Sequence, residues 1–272
     1  MKIFISADIE GLWGVVSRKQ LGGENDDYAR ARKLMTQEVN IVCDALFNHG
    51  AKEIVVNDSH GPMDNLLIEL LHPDVSLISG YPKDLSMMEG IDESFDCAIM
   101  IGYHPKAGTH AGIFDHTYAG GIIASLKING VEMGECGLNA LVAGHFNVPV
   151  VLVAGDDKVT RDVKYEIGDV ETVAVKQAIS RYCAKNLPYN QLKDAYRQAV
   201  QKALSNVRNY PVRQFEEPLI LTISLWQTVM VDKAVSIPGV NRLDDTTVEY
   251  KATDPVDLYR VFRAVVTLAD SA

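Results

Sequence analysis

The chain has 272 residues, 47% hydrophobic and 23% charged, with 26 basic against 36 acidic side chains and a formal net charge of −10. These are the proportions of a globular protein of one large or two medium domains, and they exclude a disordered or fibrous chain. The acidic balance argues against nucleic acid and against anionic membranes, which both need a basic surface, and no apolar run approaches the ~18 residues that cross a bilayer.

The first 185 residues alternate short β-branched runs with helical patterns. Residues 3–5 read as a first strand, which turns polar too soon for a secretory signal. Tyr28, Ala31, Met35, Val39, Val42 and Leu46 recur at helical spacing, and His49-Gly50 supplies a stop. A second strand is expected at 54–56 and a second helix at 63–71, ended by His72-Pro73. Residues 75–79 and 98–101 are continuously apolar, as in buried parallel strands. Runs at 124–128 and 131–133 flank Asn129-Gly130, a two-residue hairpin signal. A helix over 135–145 and strands at 150–153 and 170–175 follow.

Beyond this the pattern changes. An amphipathic helix carries Leu192, Tyr196, Val200 and Ala203, and 210–218 reads as a loop. Strands are expected at 219–224 and 246–251, and a closing helix at 255–268, capped by Asp254. The expected fold class is α/β: a largely parallel sheet flanked by helices over residues 1–185, with a smaller C-terminal α+β subdomain over 186–272. Cys43, Cys97, Cys136 and Cys183 form no C-x-x-C pair and read as four buried thiols in a reducing cytoplasm.

Open parallel sheets bind ligands at the carboxyl ends of their strands. The ends of the first two strands and of 98–101 supply Asp8 and Glu10, His60, and His104. Asp58 either orients a ligand histidine or caps the next helix; Ser59 reads as a turn serine, and Asp156 and Asp157 as helix caps. His49, His72 and His145 lie near expected helix C-termini, where an imidazole suits the dipole. His110 and His116 lie in the glycine-rich stretch 102–121, long enough to be functional or mobile. Carboxylates and imidazoles without cysteine suit a zinc- or manganese-type ion. Carboxylates crowded into one site repel unless cations neutralise them, which favours two metals over one. No phosphate-binding glycine loop, dinucleotide fingerprint, H-E-x-x-H or nucleophile elbow is present.

The run Ser6-Ala-Asp8-Ile-Glu10-Gly11 resembles the S-x-D-x-E-G signature of the DppA-type D-aminopeptidases, a family of zinc metallopeptidases. Val56-Asn-Asp-Ser-His60, Gly102-Tyr-His104, Gly134-Glu-Cys-Gly-Leu-Asn-Ala140 and Ala174-Val-Lys-Gln177 resemble it in the same order, closely over 1–185 and loosely beyond. The resemblance implies two zinc ions per subunit on Asp8, Glu10, His60, His104 and Glu135, with Asp8 bridging. Glu135 is the addition, since on its own a carboxylate opening a helix reads as a dipole partner.

The resemblance also implies a catalytic histidine in the loop after His104; His116 matches best and His110 competes, with the role open between general base and nucleophile. It further implies a cytoplasmic aminopeptidase acting on short peptides with a D-alanine preference, assembled as a homodecamer with its sites in a central channel. Two readings compete. A two-metal phosphatase or phosphodiesterase uses the same ligands but needs a basic clamp on phosphate, and Lys106 is the only basic residue near the candidate loops. A structural metal module needs closed coordination.

Overall fold

The computed structural model describes residues 1–272. Its first strand, β1 (Lys2–Ala7), is buried from Ile3 onward, as a strand covered on both faces must be. In α1 (Asp26–Asn48), the Asn25 side chain accepts the Tyr28 N–H at the start, and the chain leaves through His49. β2 (Glu53–Asp58), β3 (Val75–Ile78) and β4 (Cys97–Tyr103) follow. β5 (Ile123–Ile128) and β6 (Val131–Glu132) form a hairpin in which Asn129 and Gly130 both have positive φ, the signature of a type I′ turn.

Then come α2 (Glu135–His145), β7 (Val150–Asp156), α3 (Val159–Glu166), β8 (Glu171–Ser180), β9 (Cys183–Asn186) and α4 (Tyr189–Ser205). The chain closes with β10 (Leu219–Leu225), α5 (Thr228–Ala234), β11 (Val240–Arg242), β12 (Thr247–Ala252) and α6 (Pro255–Asp270), whose cap is Asp254 as expected.

The larger sheet runs β3-β2-β1-β4-β7-β8-β9 and is parallel except at the β8–β9 pair. The smaller runs β11-β12-β10-β5-β6 and is antiparallel. This is the expected α/β class. Successive side chains of a strand point to opposite faces. Ile3 and Ile5 therefore pack with α1 and α4 in one core, while Phe4 joins α2, α6 and the second sheet in the other. The chain passes from β1 outward through β2 to β3, then returns to set β4 on the other side of β1. The carboxyl ends of β1 and β4 thus flank a topological switch point, where a crevice opens.

The smaller sheet joins the β5–β6 hairpin to the C-terminal strands through the β5–β10 pair, and α4 packs on the larger sheet. Three expectations are corrected. No helix forms over 63–71. Met63 has φ 59°, and α1 side chains satisfy the backbone instead. Arg32 donates to the carbonyls of Asp64 and Asn65, Thr36 accepts the Leu67 N–H, and Asn40 donates to the Leu70 carbonyl. The strand expected at 170–175 runs on to Ser180 and turns into β9. Cys183 on β9 is exposed, so three thiols rather than four are buried.

Candidate metal centre

The first two candidate ligands leave β1 on a fixed path. The Asp8 N–H donates to the Ile101 carbonyl at 2.8 Å and the Gly11 N–H to the Gly102 carbonyl at 2.7 Å, so the two backbones stay joined beyond the strands. A Cβ at Gly11 would lie 1.9 Å from the Tyr103 oxygen, and one at Gly102 (φ +73°) 2.1 Å from the Asp8 oxygen. This close approach is why the signature ends in glycine. From below, the buried Lys176 ammonium donates to the carbonyls of Glu10, Leu12 and Val15 at 2.7, 2.8 and 2.7 Å. Asn139 donates to the Tyr103 hydroxyl, which meets Ser6 Oγ at 2.6 Å; Ser6 in turn donates to the Met87 carbonyl. This buried relay locks α2 to β4 and β1.

His60 follows β2. The Asp58 carboxylate accepts the Leu66 N–H, the Asn65 amide and, at the limit of range, the His60 N–H. Asp58 therefore shapes the His60 loop through its backbone; it neither touches the imidazole nor caps a helix. His104 follows β4 directly, and Glu135 enters from the opposite face as the first residue of α2. His116 arrives on the long loop, which is pinned: Asp156 accepts the Ile113 N–H while also receiving the N–H groups of Lys158 and Val159 at the start of α3. His110 is exposed and lines no part of the pocket.

The structure brings Asp8, Glu10, His60, His104, His116 and Glu135 together around one pocket. His60 Nδ1 lies 3.0 Å from Glu10 and 3.3 Å from Asp8. His104 Nε2 lies 3.1 Å from Glu135 and 3.6 Å from Asp8, and His116 Nε2 3.7 Å from Glu135. Each imidazole turns its outer nitrogen to a main-chain carbonyl: His60 Nε2 to Leu21 (2.8 Å), His104 Nδ1 to Pro105 (3.1 Å) and His116 Nδ1 to Phe114 (2.7 Å). A carbonyl only accepts, so each outer nitrogen carries the proton and the inner one of a neutral ring presents a lone pair to the pocket. This is the orientation a metal-bound histidine needs.

The carboxylates are crowded and buried. Asp8, Glu10 and Glu135 are 2%, 4% and 4% exposed. Burial and the neighbouring Glu10 charge push Asp8 up to about 8. Burial opposes the charging of His104, yet Glu135 raises it to about 10. Asp8 Oδ2, Glu10 Oε2 and His104 Nε2 are buried without a hydrogen-bond partner. Orphaned buried polar atoms are costly, and these three converge. Asp8, Glu10 and His104 offer ligand atoms within 4.8 Å of one another, and so do His104, His116 and Glu135. Oxygen and imidazole nitrogen without sulfur fit a divalent zinc-type ion.

Two pocket walls escaped the sequence reading. Tyr118 gives its N–H to Glu135 Oε1 at 2.7 Å, and Arg263 of α6 lays its guanidinium carbon 5.1 Å from the centre of the Tyr118 ring. Lys106, taken from sequence as the basic residue nearest the site, pairs with Glu132; the basic side chain that lines the pocket is Arg263.

The model of the peptidase M55 family, described as D-aminopeptidase, matches residues 1–264. The chain belongs to this D-aminopeptidase family. A D-aminopeptidase of Bacillus subtilis (strain 168) is 36% identical over 271 residues, spanning 99% of this chain and 98% of that protein. The solved structure of the Zn-dependent D-aminopeptidase DppA from Bacillus subtilis, described as a self-compartmentalizing protease, matches with a TM-score of 0.96 at 36% identity. That match covers 100% of this chain and 99% of the other. The D-aminopeptidase likeness therefore extends over the C-terminal residues too, where the sequence motifs are loose.

Proposed function

We propose that this chain is a zinc-dependent aminopeptidase that removes the N-terminal residue of short peptides, with a preference for D-amino acids such as D-alanine. Asp8, Glu10, His60, His104 and Glu135 would hold two zinc ions. The observation that carries the reading is the convergence of three buried, unpartnered ligand atoms, on Asp8, Glu10 and His104, beside histidines oriented by carbonyls. Bound zinc supplies a Lewis acid that polarises a peptide carbonyl and makes water more acidic.

The protein's own groups do the rest. Burial, then the charge of His104, lowers His116 below the ordinary imidazole value, so it is neutral near pH 7 and its inward Nε2 can take up a proton. In an aminopeptidase that proton is needed at the departing amine, which makes His116 the proton carrier. The Tyr118 N–H fixes Glu135. The pocket, about 170 Å³, is small beside the ~300–1,000 Å³ of common ligand clefts, which suits short substrates.

Self-association into a homo-oligomer, a decamer in our reading, is supported by the likeness to a relative described as self-compartmentalizing. A cytoplasmic location agrees with four free cysteines; no helix is long and apolar enough to cross a membrane. The test is zinc analysis together with hydrolysis of D-alanine and L-alanine p-nitroanilides and of p-nitrophenyl phosphate, with and without chelator. Zinc-dependent cleavage of the D-anilide is expected; phosphate ester cleavage alone would give the site to the phosphatase reading.

A further inference from the structure

Arg263 is the one permanent cation on a pocket wall otherwise charged by carboxylates and imidazoles. Arg260, one turn earlier on α6, is paired with Asp84. Arg263 pairs with no carboxylate of the chain and is only partly exposed. A half-buried guanidinium without an anion has lost water and gained only the ring contact with Tyr118 in return. Its position is nevertheless fixed. It lies over the Tyr118 ring, whose hydroxyl is hydrogen-bonded to that of the buried Tyr259. The neighbouring Phe262 is fully buried, so α6 cannot rotate to carry Arg263 elsewhere.

Tyr118 also sets the distance. Its backbone holds Glu135 and its ring holds Arg263, so one tyrosine separates the metal-ligand cluster from the guanidinium. An extended chain advances at most about 3.3–3.6 Å per residue. With the first peptide carbonyl at the cluster, the terminal carboxylate of a second or third residue falls within reach of that wall. A planar guanidinium binds a carboxylate through two parallel hydrogen bonds.

We propose that Arg263 binds the C-terminal carboxylate of the substrate and so selects di- and tripeptides with a free α-carboxyl group. The proposal rests on the aminopeptidase reading, and the experiment separates the two. The zinc-loaded wild type, Arg263→Met and Arg263→Lys are compared on D-alanyl-D-alanine, D-alanyl-D-alaninamide and D-alanine p-nitroanilide. Wild type should favour the free acid. Arg263→Met should raise KM for the acid by roughly 30-fold, the range of a charged hydrogen bond, and change the amide and anilide less than about threefold on the same scale. Arg263→Lys, which keeps the charge without the fork, should fall between, and it serves if the Met variant fails to fold.

Equal losses on all three substrates, or a wild type that does not distinguish acid from amide, overturns the proposal. If wild type cleaves none of them, the aminopeptidase reading fails, and calorimetric binding of D-alanyl-D-alanine still decides: weaker binding in Arg263→Met supports the proposal and equal binding overturns it. Inorganic phosphate is the control anion. A variant that loses only inhibition by phosphate assigns Arg263 to phosphate and overturns the carboxylate.

Discussion

His104 and His116 lie ring on ring, with centroids 4.0 Å apart and planes 7° from parallel. Two imidazoles in that arrangement do not both carry charge at low cost. Burial and His104 push His116 down, while Glu135 holds His104 up against its own burial. The two rings therefore differ in charge: His104 is tied into the carboxylate cluster, and His116 is neutral.

Replacing His116 by alanine should leave the zinc content unchanged and reduce D-anilide hydrolysis by about 10²–10⁴-fold, the usual share of general acid–base catalysis. His110→Ala should stay near wild type, because that side chain points to solvent. Metal analysis beside steady-state rates checks both; a His116 variant that loses zinc would make the residue a ligand instead.

Chelation should lower the melting temperature, and added zinc should restore it. Without a cation, the three buried carboxyl groups share the pocket only with protons and imidazoles. Zinc at a hundred times its dissociation constant would add about 2.7 kcal/mol per site. A thermal scan unmoved by chelator and by zinc contradicts the metal assignment.

Lys176→Met keeps the volume and removes the ammonium, orphaning the carbonyls of Glu10, Leu12 and Val15. We expect a loss of about 3 kcal/mol in urea unfolding, within the cost of stranding buried acceptors. Zinc competition should also show weakened binding, since the strand end that carries Asp8 and Glu10 loosens. Unchanged zinc affinity would restrict Lys176 to a structural part.

Glu38 supplies a pH dependence away from the pocket. Burial pushes its carboxyl up to about 7, although it accepts hydrogen bonds from the Tyr196 hydroxyl and the Trp13 N–H. The unfolded chain releases that proton near the ordinary glutamate value of about 4.3. Between these values the folded state holds more protons, so this contribution to stability declines as pH rises toward 7 and is flat above. Measured against wild type, Glu38→Gln should therefore gain stability from pH 5 to pH 8, by at most about 1.4 kcal/mol per pH unit. A difference independent of pH would mean that Glu38 is ionised throughout.

Much of the cluster was legible in the sequence because parallel strands deliver their following residues to one edge. Asp8, Glu10, His60 and His104 each come within four residues of a strand that apolar runs disclose. Glu135 was not legible that way: it begins a helix on the opposite face, and only the G-E-x-G-L-N-A resemblance singled it out. Tyr118 and Arg263 carry no local signal at all. One sits in an irregular loop, and the other is an ordinary charged residue on an amphipathic helix. Only the docking of α6 across the crevice makes them neighbours of the cluster. The helix expected over 63–71 failed for a related reason, since side chains of α1, distant in sequence, took its backbone hydrogen bonds.

The pairing of β5 with β10 has a kinetic consequence. One edge of residues 123–128 stays unpaired until 219–225 arrive, and such long-range pairing is slow to form. During synthesis the parallel strands that bear Asp8, Glu10, His60 and His104 emerge well before the segment that covers them. The second sheet and α6 cannot be completed until the last residues are made. Arg263 thus joins the pocket from the part of the chain made last, far in sequence from Asp8 and Glu10.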